Sequence, residues 1–77
     1  MNEWNRKNPT ATFIRNRRKE AGYTQVELAN FTGVGLRFLR EVEQGKPSLM
    51  MDKVNELLLF FGHRLAPMPI NSQLNEN

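Results

Sequence analysis

Arg37, Arg40, Glu41 and Gln44 recur at helical spacing in the stretch LRFLREVEQG, and Lys46 follows directly. If that stretch is a helix, they share a side with Leu36, while Phe38, Leu39 and Val42 take the other. The types on the open side suit the edges of duplex DNA. An Arg guanidinium is a planar fork that matches guanine O6 and N7, so Arg37 is the first candidate for reading a base. Arg40, one turn on, could reach a base or a phosphate. Glu41 could accept from cytosine N4, or order Arg37 one turn back. Leu36 could lie against a thymine methyl.

Other chemistries lack their residues. The chain has no Cys and a single His, so thiolate metal sites, disulfides and His-based catalysis have no ligands or base. It has no glycine-rich phosphate loop and no paired carboxylates in a cleft. We therefore expect no catalytic residues, no metal and no cofactor, and read the chain as a non-enzyme.

Two short helices joined by a tight turn, residues 24–45, would position the polar side. Thr24 followed by Glu27 fits a capping box, and Tyr23 with Leu28 fits the hydrophobic staple around it. Leu28 and the small Ala29 form an apolar inner edge. Gly33 falls where a left-handed residue ends a helix. Val34 can plug the core from the turn, Gly35 opens the second helix and Gly45 closes it. Such a turn is the signature of a helix-turn-helix, whose second helix enters the major groove.

The remaining chain supports one small domain. Its 77 residues are 39% hydrophobic, a thin core that often needs a partner. A first helix is expected from residue 10 or 12 to residue 21, with Phe13, Ile14 and Ala21 on its core stripe and Arg17 laying its stem along it. A fourth is expected over residues 51–61, where Val54, Leu57, Leu58 and Phe61 form the buried stripe and Met50 and Met51 fill gaps. Leu59 and Phe60 widen that stripe beyond one small core, which suggests a dimer interface. Pro67 and Pro69 allow residues 63–70 at most an edge strand, and a lone edge strand needs a partner. His63 reads as a surface residue. Residues 1–9, with Trp4, Arg6 and Lys7, read as a flexible arm, residues 10–62 as the domain, and residues 71–77 as a disordered polar tail.

The net charge is +3. Arg15, Arg17, Arg18 and Lys19 cluster on the first helix, and Arg37, Arg40 and Lys46 around the second half of the motif, a distribution suited to a phosphate backbone. No apolar run approaches the roughly 18 residues of a membrane span, and MNEWNRKNPT lacks the apolar core of a secretory signal. The expected location is the cytoplasm, away from membranes.

The string T-Q-x-x-L-A-x-x-x-G-V, followed by a helix ending E-x-G-K, resembles the Xre/Cro-like helix-turn-helix domains of phage and bacterial repressors over residues 14–61. Within that family, G-V-G-L-R-F-L-R-E-V-E-Q-G-K-P is similar to the HipB-like antitoxins, which are encoded beside HipA-type kinase toxins. The resemblance implies an all-α, lambda-repressor-like domain of about four helices with a short C-terminal strand. It implies a structural ion pair between Arg18 and Glu43, whose disruption, if buried, would cost ~3–5 kcal/mol. It also implies backbone phosphate contacts from Gln25, Lys46 and the amides around Gly45. Leu59, Phe60, Arg64, Leu65 and Ala66 would serve dimerisation, the strand pairing with its copy. Gly35 departs from the usual Ser or Thr cap, which weakens the cap by a few tenths of a kcal/mol.

Three functions fit these residues. The first is a homodimeric repressor of a palindromic operator that is also an antitoxin binding a HipA-like Ser/Thr kinase. The second is a free-standing repressor of phage or restriction–modification type. The third is an adaptor using the fold for protein contacts alone, with Phe31 and Leu36 turned outward; Arg37 and Arg40 on the same face argue against it.

Overall fold

The computed structural model of the chain describes residues 8–69. The arm residues Trp4, Arg6 and Lys7, together with residues 70–77, lie outside them. Four helices are present among the described residues: α1 (Pro9–Glu20), α2 (Gln25–Thr32), α3 (Leu36–Glu43) and α4 (Met51–Phe60). There is no strand among them.

α1 starts earlier than residue 10 or 12. The Asn8 carboxamide accepts from the amides of Thr10 at 3.0 Å and Ala11 at 3.1 Å, and Pro9 occupies the first turn, where its missing N–H costs no hydrogen bond. Ala11, one turn before Arg15, is buried beside Ile14. Ala21 is exposed, contrary to its expected place on the core stripe, because it is the C-cap, where the chain turns away from the helix.

α2 has the expected capping box. Thr24 Oγ1 accepts from the Glu27 amide at 3.0 Å, and the Thr24 amide donates to Glu27 Oε1 at 2.8 Å. Gly33 ends the helix at φ 83° and donates to the Ala29 carbonyl. A side chain would be strained there by the backbone alone, since a Cβ would meet nothing within 4 Å.

α3 packs against both α1 and α2, and α2 meets α4. The shared core is Ile14, Leu28, Ala29, Val34, Leu39, Val42, Val54, Leu57 and Leu58, with Phe13, Tyr23, Phe38, Leu49 and Phe61 closing its edges. A domain this size is stable by only ~0.05–0.15 kcal/mol per residue, so truncating Leu39, which is fully buried, at ~2–5 kcal/mol would remove much of that margin. Met50 and Met51 are exposed rather than filling gaps. They form the N-cap and first residue of α4, ahead of the turn that reaches the core.

Residues 63–69 form neither helix nor strand within the chain. They are fastened to their own domain where the Leu65 amide donates to Asn55 Oδ1 at 2.7 Å and the Leu65 side chain packs on the core. His63 is exposed, with its ring 4.6 Å from that of Phe13.

Candidate nucleic-acid interface

The open face of α3 rests on a buried polar junction. Arg18 Nε donates to Glu43 Oε2 at 2.7 Å and Arg18 Nη2 to Glu43 Oε1 at 3.0 Å, a two-pronged pair between α1 and the end of α3. The two side chains are only 12% and 4% exposed. Arg18 Nη1 also donates to the Tyr23 carbonyl at 2.9 Å, and Arg15 Nη1 to the Glu43 carbonyl at 3.0 Å. The hydrogen bond that Arg18 donates to Glu43 raises the Arg18 pKa above its ordinary value, against the lowering effect of burial, so Arg18 stays charged throughout the working pH range.

This junction alters the reading of the basic cluster on α1. Arg15 and Arg18 are engaged with Glu43 and the α1–α2 turn. The Arg17 guanidinium lies 5.4 Å from the Phe13 ring centre and 5.3 Å from that of Phe61, a cation–π arrangement holding α1 to the end of α4. Arg15 and Arg17, which looked free to meet phosphate, are therefore tied to structure, and Arg18 is held in the pair the resemblance implies.

On α3 itself the side chains of Arg37 and Glu41 are 94% and 27% exposed, with Arg37 Nε and Glu41 Oε2 3.7 Å apart. Lys46 Nζ lies 3.5 Å from the same carboxylate oxygen. Glu41 thus stands between two cations, an arrangement nearer to ordering Arg37 than to a free acceptor. Arg40 and Gln44 are exposed. Leu36 is half-buried and packs on the core, so it is not fully on the open side as its position suggested. The amides of Gly45 and Lys46 donate to the carbonyls of Val42 at 3.0 Å and Glu41 at 3.1 Å. They end α3 instead of pointing free toward a phosphate.

Gln25, the first residue of α2, is the connection missed by sequence reasoning. Its Nε2 donates to Glu43 Oε1 at 3.1 Å, and its Oε1 accepts from Arg40 Nε at 3.4 Å. No spacing signal reveals this, because the three residues sit on two helices.

Of the residues expected in a dimer interface, Leu59 is 73% and Phe60 42% exposed. Arg64 and Ala66 are exposed and Leu65 is half-buried. Phe60 belongs to an aromatic surface in which its ring stacks on Phe31 at 6.2 Å and both adjoin Tyr23. Phe31 is itself 56% exposed.

Among the described residues no group of three or more His, Asp or Glu side chains is placed to hold a metal ion, and no helix is long and apolar enough to cross a membrane.

The chain is similar to known proteins. It is 47% identical over 45 residues to an uncharacterized HTH-type transcriptional regulator, y4mF, of Sinorhizobium fredii, a stretch that is 58% of this chain and 59% of the relative. No solved structure matches at comparable significance. Residues 14–65 match the helix-turn-helix family, and that span runs from the core residue Ile14 through α4 to Leu65. With α2 capped at Thr24 and ended at Gly33, and α3 held by the pair of Arg18 and Glu43, the chain belongs to the helix-turn-helix family.

Proposed function

We propose that the chain is a sequence-specific DNA-binding transcriptional repressor that acts as a homodimer on a palindromic operator overlapping its own promoter. The observation that carries this reading is the outward face of α3, where Arg37 and Arg40 stand exposed on a helix whose other side is locked into the core. Arg37 reads a base, Leu36 lends its exposed edge to a thymine methyl, and Gln44 and Lys46 flank them toward the backbone. One such helix reads too few bases to find a genomic site, so a two-fold pair reading inverted half-sites is required. Leu59 and Phe60 supply apolar surface for that pairing, and Arg64, Leu65 and Ala66 of the following segment contribute to it. The protein acts without cofactor or catalysis, in the cytoplasm.

The HipB-like string around Arg37 extends the reading to an antitoxin that also binds a HipA-like Ser/Thr kinase. The relative's designation as a transcriptional regulator supports the second reading, a stand-alone repressor. Selection of bound duplexes from a random pool tests the first claim: inverted half-sites about one helical turn apart, or a multiple, are expected, and no sequence preference would overturn it. Co-purification with the products of adjacent genes tests the second. A stoichiometric kinase-fold partner supports the antitoxin, and a dimer recovered alone with operator binding intact supports the plain repressor.

A further inference from the structure

Among the described residues, Gln25 carries the one side chain that hydrogen-bonds to both the buried junction and the open face of α3. A carboxamide is directional, with two donors on nitrogen and acceptors only on oxygen. The Glu43 carboxylate can only accept, and it is immobilised by the Arg18 fork with 4% of its side chain exposed. The Gln25 nitrogen, 3.1 Å from Glu43 Oε1, must therefore face inward. That turns the carbonyl oxygen outward, where a donor is needed, and Arg40 Nε supplies one at 3.4 Å. Among the described residues neither terminal amino group of Arg40 has a hydrogen-bond partner. The guanidinium is thus held by its inner edge with its outer edge free, the edge a bidentate contact to a base uses.

We propose that Gln25 is a positioning residue for base readout: it relays the fixed orientation of the Arg18–Glu43 pair, through its carboxamide, to Arg40. The inference rests on the DNA-reading function above and deepens it. It makes Arg40 the more pre-organised reader, since Arg37 has only a 3.7 Å ion pair to Glu41 to order it. It also gives Gln25 a task other than binding a phosphate.

The test uses the full chain and the duplex recovered by selection, together with duplexes carrying each single base-pair change. Binding is measured for the wild type, Gln25→Met, Arg40→Met and the double variant. Gln25→Met keeps the length and removes the polarity. The relay predicts a loss of about tenfold on the selected duplex, the size of one hydrogen bond to a charged group. That loss should fall at the same base pairs whose discrimination Arg40→Met abolishes, and the double variant should bind no worse than Arg40→Met alone. In the free protein, the Arg40 Nε–Hε resonance should be sharp in the wild type and lost to solvent exchange in Gln25→Met. Equal losses on every duplex, additive with Arg40→Met, would identify a phosphate contact and overturn the relay. So would an unchanged Arg40 resonance. A wild-type chain with no sequence preference overturns the DNA reading itself, and with it the purpose of the relay.

Discussion

Arg18 and Glu43, 25 positions apart, meet through two hydrogen bonds of 2.7 and 3.0 Å and fasten α1 to the end of α3. Removing one partner leaves the other buried without a counter-charge. We expect Glu43→Ala to destabilise the domain by ~3–5 kcal/mol, which urea unfolding followed by circular dichroism would register. Replacing both residues by Met should cost less than either single change. A single variant with wild-type stability would contradict the role assigned to the pair.

Arg37 and Lys46 should fail differently on DNA. Arg37→Ala is expected to cost ~1–3 kcal/mol on the operator and to relax sequence preference, whereas Lys46→Ala should weaken all sequences alike and reduce the salt slope by about one unit. Binding titrations at several salt concentrations, on operator and random duplexes, separate the two. Indistinguishable losses would remove the distinction between base and backbone contacts.

Glu41 stands 3.7 Å from Arg37 and 3.5 Å from Lys46, so on the proposed reading it would compete with DNA for both. Glu41→Gln should tighten binding to random duplex at low salt and steepen the salt dependence. If Glu41 instead accepts from a cytosine, the variant will lose discrimination at one base pair and leave random binding unchanged.

Two neighbouring glycines give opposite expectations. A Cβ at Gly33 or Gly35 meets nothing within 4 Å, yet only Gly33 has positive φ. Gly33→Ala should therefore destabilise by ~1–2 kcal/mol through the backbone. Gly35 begins α3 with no side-chain cap, and Gly35→Ser should stabilise by a few tenths of a kcal/mol (~0.3). Thermal melts of the two variants should move in opposite directions.

For the dimer, Leu59→Asp and Phe60→Asp should yield folded monomers in sedimentation experiments, because both side chains are exposed on the single chain. Operator affinity should fall with dimerisation. A dimer that survives both changes would place the interface elsewhere.

What was legible in the sequence was local or carried by a pattern. The Thr24–Glu27 box and the Gly33 exit depend on residues a turn apart, and the motif's spacing carried the fold. The start of α1 was also present as Asn8 followed by Pro9, a cap and a first-turn proline, although the proline reads equally as the end of an arm. Periodicity puts Ala21 on the core stripe, and flexibility makes Met50 and Met51 read as gap fillers, but all three sit at helix ends, outside the turns that reach the core. The charge of Arg15 and Arg17 was plain. Their engagement with a Glu43 carbonyl and with two phenyl rings depends on how distant helices dock, which no spacing encodes.

The eight-residue α3 begins without a side-chain cap. So short a segment does not pay the cost of nucleation by itself; it exists because Leu39, Val42 and Glu43 are buried by its neighbours. The face bearing Arg37 and Arg40 therefore comes and goes with the whole domain, all or none. Amide hydrogens along α3 should exchange only through global opening, and the first event that opens the domain, whether heat or a protease, dismantles that face at the same moment.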